Sequence, residues 1–108
     1  MDNLLKINDY MNEDELLKKL PYIQDYITFR RMSFQDVLLL VDNLLKLDIL
    51  SFPYTTRELI LYIIADAIGH YKIVSLVNLE SLISIRANVE EDLKEYIDEC
   101  ISSGRANV

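Results

Sequence analysis

An almost uninterrupted apolar stretch in the middle of the chain constrains the fold more than any other feature. Within residues 55–71, TTRELILYIIADAIGHY, the apolar run from Leu59 to Ile68 is broken only by Asp66. A surface helix carries apolar residues on one side only, whereas here they go almost all the way round. The run is too short, and too soon interrupted by charge, to cross a bilayer. It therefore predicts a central helix that other elements surround.

The length and composition predict one all-α domain. At 108 residues, 51% of them hydrophobic and with only two glycines and two prolines, the chain resembles neither a disordered protein nor a turn-rich β fold. Folding at this length buries roughly two-thirds of the unfolded chain's surface. The single Cys100 cannot form an internal disulfide, and the N-terminal residues lack the basic and apolar regions of a signal peptide. We expect a cytoplasmic protein with a single helical domain over residues 1–108.

The first half of the chain is predicted to contain two helices before the central one. Asp9 or Asn12 is expected to cap the first helix. Pro21 either kinks this helix or restarts it, because proline has no N–H to donate. Ser33 begins a capping-box-like sequence for the second helix, which is expected to end near Leu47.

Two further capping patterns place the central helix and the last helix. Thr55, with a glutamate three residues on, forms a capping box for the central helix 55–71. Asn88 is expected to cap the last helix in the same way. Gly104 is expected just beyond the end of that helix, where glycine is common, and residues 105–108 are expected to form a frayed tail.

Residues 72–86 fit two interpretations. Their apolar residues fit a helix with one imperfect step, and residues 73–77 alone also fit a short buried strand. The sequence offers no second strand to pair with it, and an isolated strand is not stable. We therefore predict a helix, which completes a compact irregular bundle of about five helices around the central helix. A HEAT-like or armadillo-like stack is disfavoured, because such arrays need about three repeats to bury a continuous core.

Negative charge is the most distinctive surface property of the chain. The formal net charge is −7. Nucleic acids and anionic membranes are bound mainly through basic residues, so we expect neither as a partner. An acidic surface suits the capture of a basic protein partner. The simpler alternative is that the charge only keeps the protein soluble.

The predicted last helix supplies most of the candidate binding residues. Residues 90–99 hold six carboxylates and one lysine. Like charges at helical spacing lower helix stability, and those near the C-terminal end also oppose the helix dipole. Such a local conflict can mark a functional surface, and a merely solvated face is the alternative. Tyrosines near charged or loop positions are further candidates for partner binding, because tyrosine is enriched at binding hot spots. The partner-binding candidates are Glu91, Asp92, Glu95, Asp98, Glu99, Tyr26 and Tyr54.

Asp66 and His70, four residues apart in the central helix, are the arrangement that most suggests acid–base chemistry. A catalytic dyad needs a nucleophile at a defined position, and Ser75, Ser81 and Ser84 stand at no particular spacing. We favour a local ion pair. The only cysteine has acidic neighbours, whereas a reactive thiolate needs positive charge, and one histidine with one cysteine cannot build a structural zinc site. We therefore predict no catalytic residue, no metal ligand and no cofactor, and we do not expect an enzyme.

Residues 7–20, INDYMNEDELLKKL, resemble the first helix of colicin DNase immunity proteins. The resemblance implies a small helical inhibitor of a basic nuclease toxin. The aspartate-and-paired-tyrosine segment that those proteins use for toxin binding has no counterpart here, so the resemblance does not assign the chain to that family. Together with the charge, it favours an inhibitor or immunity-type protein. The alternative is a helical adaptor or a homo-oligomerisation module, such as a homodimer, that uses surplus apolar surface in residues 34–47 and 73–85.

Overall fold

A computed structural model of the protein describes residues 13–29, 31–71, 73 and 76–106. These residues form five α-helices and short 3₁₀ turns, and none of them lies in a β-strand. The prediction of an all-α bundle is confirmed. In chain order the α-helices are α1 (Glu13–Thr28), α2 (Phe34–Leu45), α3 (Tyr54–Tyr71), α4 (Glu80–Ile85) and α5 (Glu91–Ala106).

Helix α3 is the centre of the fold, as the apolar run predicted. It packs against α1, α2 and α5, and its buried residues extend from Thr56 to Ile68. Each surrounding helix turns one apolar face towards it, as amphipathic helices do. These faces consist of Leu16, Leu20, Ile23 and Ile27 in α1, Val37, Leu40, Val41 and Leu44 in α2, and Leu93, Ile97 and Cys100 in α5. In the part of the chain that the structure describes, no helix has the length and apolar character that a membrane span requires.

The sequence signals in the first half of the chain are only partly confirmed. Ser33 has an extended backbone, and its Oγ accepts a hydrogen bond from the Asp36 N–H at 3.2 Å, so the predicted cap of α2 is correct. Helix α1 continues through Pro21 without a restart. The predicted caps at Asp9 and Asn12 lie outside the described residues.

The central helix begins one residue earlier than the capping box predicted. Helix α3 starts at Tyr54, and the Arg57 N–H donates to the Pro53 carbonyl at 2.9 Å. Thr55 therefore lies inside the first turn, and its assignment as the cap is wrong. The proline before the helix stops any earlier helix from continuing, because it favours an extended conformation in the residue that precedes it.

Arg57 joins three segments of the chain at the start of α3. Its Nη2 donates to the carbonyls of Leu50 and Phe52, at 3.0 Å each. Its Nη1 lies 2.5 Å from Oε1 of Glu90, the residue before α5. The Arg57 side chain is only 14% exposed, so these charged hydrogen bonds are largely protected from water. They hold the 3₁₀ turn Ile49–Ser51 and the start of α5 against the central helix.

The prediction of one helix over residues 72–86 is wrong for its first half. Ile73 is buried but not helical, and α4 begins only at Glu80. The Asn78 Oδ1 accepts a hydrogen bond from the Glu80 N–H at 2.9 Å. Such a side-chain turn offers the backbone an alternative to the helix, which explains the late start. After α4 the chain makes a 3₁₀ turn, Arg86–Asn88.

The last helix starts later than the capping pattern predicted. Asn88 belongs to the 3₁₀ turn that precedes it, and Val89 is extended and buried. The Glu90 carbonyl accepts the first hydrogen bonds of α5, so the assignment of Asn88 as the cap is wrong. Burial of Val89 and the contact between Glu90 and Arg57 fix this start, and both are long-range contacts that a local pattern does not show.

The last helix also ends later than predicted. Helix α5 continues through Gly104 to Ala106, so Gly104 does not end it, and the helix includes the first two residues of the segment 105–108 that was predicted as a tail. Asp98 and Glu99 therefore lie in the middle of a 16-residue helix. The predicted conflict of these two carboxylates with the helix dipole is wrong, because that effect is confined to the last turn.

Candidate functional site

A strip of α3 reaches the surface between α1 and α5. Glu58, Tyr62, Asp66 and His70 follow one another at intervals of four residues, which places them on one side of the helix. Helix α5 packs beside α3 and contributes Asp92, Tyr96 and Glu99, which lie four and three residues apart on one side of the helix. We call the combined surface the tyrosine–carboxylate face, which consists of Tyr54, Glu58, Tyr62, Asp66, Asp92, Tyr96 and Glu99.

Two tyrosines join α3 to α5 in the middle of this face. The rings of Tyr62 and Tyr96 meet edge to face, with centroids 5.9 Å apart and planes at 87°. Edge-to-face contacts of this kind are a preferred geometry for aromatic pairs. The two rings separate two grooves. The Gly69 groove has a volume of about 380 Å³ and is lined by Tyr62, Ala65, Asp66, Gly69, His70, Tyr96 and Glu99. The Gln24 groove has a volume of about 300 Å³ and is lined by Gln24, Thr55, Glu58, Leu59, Tyr62 and Tyr96.

Asp66 is held from two directions at one side of the Gly69 groove. The His70 Nε2 lies 3.0 Å from the Asp66 Oδ1 on the same helix. The Thr28 hydroxyl of α1 donates to the Asp66 Oδ2 at 3.4 Å. The contact predicted from the spacing of Asp66 and His70 is therefore present. Of the three serines considered as nucleophiles, neither Ser81 nor Ser84 lines this groove, and Ser75 lies outside the described residues.

Tyr54 links the two helices at the other end of the face. Its single hydroxyl proton is shared between Asp92 of α5 and Glu58 Oε2, the latter at 3.3 Å. The hydrogen bond to Asp92, followed by burial and the nearby negative charges, raises the pKa of Tyr54 above its ordinary value. Burial raises the pKa of Tyr96 as well, and the charges of Glu58, Glu99 and Asp92 act in the same direction. Negative charge from both helices therefore converges on the tyrosines.

Glu91, Glu95 and Asp98 of α5 lie outside the tyrosine–carboxylate face, and two of them are compensated within the chain. The Lys94 Nζ lies 2.7 Å from the Glu91 Oε1. The Arg86 Nε and Nη2 donate to the two oxygens of Asp98 at 2.7 and 2.9 Å. The hydrogen bond from Lys94 lowers the pKa of Glu91, and that from Arg86 lowers the pKa of Asp98. Glu95 is exposed on α5. The acidity of this part of α5 is thus lower than the sequence suggests.

The structure brings together three of the seven predicted binding residues. Asp92, Glu99 and Tyr54 belong to the tyrosine–carboxylate face. Tyr26 is half-buried and packs against the core. The remaining three are the acidic residues of α5 just described, which lie outside the grooves.

The sequence did not indicate the half of the face that α3 supplies. The sequence places Glu58 in a capping box and Tyr62 in the buried apolar run, although Tyr62 is 36% exposed. The apolar spacing of the last helix favours an inward position for Tyr96. The interval of four that Glu58, Tyr62 and Asp66 share with His70 was the available signal, because it marks one side of a helix.

The thiol of Cys100 is the other side chain of α5 that could act as a nucleophile, and it is buried. Cys100 lies in the core, and burial, together with the nearby charge of Glu99, raises the pKa of its thiol to about 12. A thiol in this state is not a nucleophile at neutral pH. Among the residues that the structure describes, no group of three or more His, Cys, Asp or Glu side chains is arranged to hold a metal ion.

Comparison with protein-family models, with curated proteins and with solved structures finds no match to this chain. The resemblance of residues 7–20 to immunity proteins is therefore not supported by a wider similarity. What the tyrosine–carboxylate face can bind has to be inferred from its own side chains.

Proposed function

We propose that this protein is a non-enzymatic binding protein, and specifically an inhibitor of the immunity type that masks a basic partner such as a nuclease toxin. The observation that carries the proposal is the composition of the tyrosine–carboxylate face. It combines four carboxylates with three tyrosines, and none of the described residues lining its two grooves is a lysine or an arginine. Opposite charge accelerates the encounter with a basic surface, and tyrosines at the centre of an interface supply affinity.

The face is held in place before any partner arrives. Asp66 is fixed by His70 and Thr28, and Asp92 accepts the hydrogen bond of Tyr54. The contact between the tyrosine rings fixes the middle of the face. Side chains that are already ordered lose less entropy when they bind, so more of the interaction energy becomes affinity. This preorganisation distinguishes the face from a row of freely solvated carboxylates.

We propose the cytoplasm as the compartment of this protein. The support is the state of the single cysteine, since Cys100 is buried and reduced and its thiol pKa is raised to about 12. A protein that contains no disulfide needs no oxidising compartment.

A homo-oligomerisation module is the second candidate, and exposed apolar side chains favour it. Leu39 of α2 is 50% exposed, and Ile83 of α4 is 55% exposed. Both lie in the segments whose surplus apolar surface the sequence predicted. Light scattering over a concentration series tests this candidate. A mass that rises to twice the chain mass supports it, and a constant single-chain mass contradicts it.

Capture of a partner by two matched variants tests the main proposal. The first variant neutralises the face by Glu58→Gln, Asp66→Asn, Asp92→Asn and Glu99→Gln. The control neutralises four exposed carboxylates elsewhere, by Asp42→Asn, Glu80→Gln, Glu91→Gln and Glu95→Gln. Both change the net charge by the same amount. Each immobilised protein is exposed to an extract of the source cells at low salt, and the retained proteins are identified by mass spectrometry.

We expect the unmodified protein and the control variant to retain the same basic protein, and the face variant to lose it. Circular dichroism and thermal unfolding establish that both variants are folded. Equal loss in both variants contradicts the proposal, because net charge alone then explains retention. Equal retention by the face variant also contradicts it.

A further inference from the structure

Gly69 occupies a position where the fold does not need glycine. It lies in the last turns of α3, and glycine inside a helix costs about 1 kcal/mol relative to alanine. A Cβ built at Gly69 meets no atom within 4 Å. No neighbouring helix fills this space. Because glycine has no side chain, the Gly69 groove stays open.

The walls of the Gly69 groove combine two kinds of chemistry. Tyr62 and Tyr96 supply aromatic surface at one end. Glu99 of α5 and Asp66 of α3 supply carboxylates from two different helices, and Asp66 also contacts the Nε2 of His70, which lines the same groove, at 3.0 Å. The groove volume of about 380 Å³ falls in the range of about 300–1,000 Å³ that is typical of small-ligand sites. A ligand that matches both walls is flat, cationic and rich in N–H donors.

A guanidinium group has these properties. It is planar and always charged, it stacks on aromatic rings, and its fork of N–H donors pairs with carboxylates. An ammonium group carries the same charge but has no plane to stack, so it matches the carboxylates without matching the tyrosines. The groove is therefore better suited to arginine than to lysine.

We propose that the Gly69 groove is the subsite that receives an arginine side chain of the basic partner. The guanidinium lies against the tyrosine pair and donates to Glu99 and Asp66, and the space left by Gly69 admits the side chain. This inference rests on the proposed function, because the arginine belongs to the partner that the tyrosine–carboxylate face captures.

Binding of small arginine probes to the isolated protein tests the subsite directly. N-acetyl-arginine amide is titrated into the ¹⁵N-labelled protein and followed by amide chemical shifts. N-acetyl-lysine amide and the neutral isostere N-acetyl-citrulline amide serve as comparison probes. We expect shifts concentrated in residues 65–70 and 96–99, strongest for arginine, weaker for lysine and absent for citrulline.

Three variants make the result specific to the groove. Gly69→Leu fills the space and is expected to abolish the shifts. Glu99→Gln is expected to weaken arginine binding about tenfold, as the loss of one charged hydrogen bond does. Glu95→Gln removes the same charge from a position outside the grooves and is expected to leave binding unchanged. Should Gly69→Leu fail to fold, the comparison of Glu99→Gln with Glu95→Gln decides the question.

Two results overturn the subsite: equal shifts with the citrulline probe, or equal weakening by Glu99→Gln and Glu95→Gln. Different experimental results overturn the subsite and the proposed function. Undiminished capture of the basic partner by Gly69→Leu overturns the subsite and leaves the proposed function intact. Groove binding of the arginine probe, combined with full capture by the face variant, overturns the proposed function and leaves only the preference of the groove for a guanidinium group.

Discussion

Replacing Arg57 by alanine is the sharpest test of how the loop and the last helix are held against the core. The change removes two charged hydrogen bonds, to the carbonyls of Leu50 and Phe52, and the contact with Glu90. At about 1.5 kcal/mol for each bond to a carbonyl, the loss is about 3 kcal/mol. We add little for Glu90, because its side chain is 39% exposed and water screens the pair.

The expected effect of Arg57→Ala is measurable without unfolding the protein at room temperature, since domains of this kind are stable by about 5–15 kcal/mol. An unfolding entropy of about 2.1 cal/mol/K per residue converts 3 kcal/mol to a fall of about 13 °C in the Tm. Circular dichroism during thermal and urea unfolding gives both numbers. Arg57→Lys keeps the positive charge but lacks the forked N–H donors of the guanidinium group. We therefore expect its Tm to lie between those of the unmodified protein and Arg57→Ala.

Arg86 provides the matched control for this prediction. It also forms a two-bond contact, with Asp98, but its side chain is 43% exposed. Because exposed ion pairs contribute little, we expect Arg86→Ala to shift the Tm far less than Arg57→Ala. Equal shifts for the two variants would refute the reasoning, because burial would then not determine the strength of these contacts.

Three further predictions concern stability. Gly69→Ala is expected to raise the unfolding free energy by about 0.5–1 kcal/mol in urea titrations, because the Cβ meets no atom within 4 Å and alanine favours the helix; a decrease contradicts the open groove. Tyr71→Phe removes a hydroxyl that donates to the Met32 carbonyl at 3.1 Å, and we expect the unfolding free energy to fall by about 1 kcal/mol. An unchanged unfolding free energy would show that this hydrogen bond contributes nothing to stability. The Cys100 thiol pKa is raised from 9.0 to about 12, so the unfolded chain loses this proton first and stability falls between these pH values by about 1.4 kcal/mol per pH unit. The slope difference between the unmodified protein and Cys100→Ala isolates this contribution, and identical slopes contradict it.

The sequence predicted the helical elements well where the signal was local or strongly periodic. The apolar run of residues 59–68 predicted the buried central helix, because only a surrounded helix carries apolar residues on nearly every side. Ser33 predicted the start of α2, because a cap and its acceptor lie three residues apart in the chain.

The errors arose where long-range contacts decide the structure. Val89 is drawn into the core and Glu90 pairs with Arg57, which together displace the start of α5 from the capping pattern at Asn88. The late start of α4 has a local cause instead, because the Asn78 Oδ1 accepts a hydrogen bond from the Glu80 N–H and the helix begins only at Glu80.

The candidate site shows the same limit. Counting charges along α5 located Asp92 and Glu99 but gave Asp98 the same weight, although Arg86 compensates it across a turn. The contribution of α3 to the face was missed, because hydrophobicity along the chain does not show which side of a buried helix stays exposed. That information requires the packing of α1 and α5 around α3, and the sequence alone does not specify it.

Carboxyl footprinting of the captured complex tests the central claim most directly. The free protein and the complex are treated with a carbodiimide and glycine ethyl ester, and the modified residues are quantified by mass spectrometry. We predict that labelling of Glu58, Asp66, Asp92 and Glu99 falls in the complex, while labelling of Glu80 and Glu95 stays at the level of the free protein. Protection of the second group with unchanged labelling of the first would contradict the claim that the tyrosine–carboxylate face is where the partner binds.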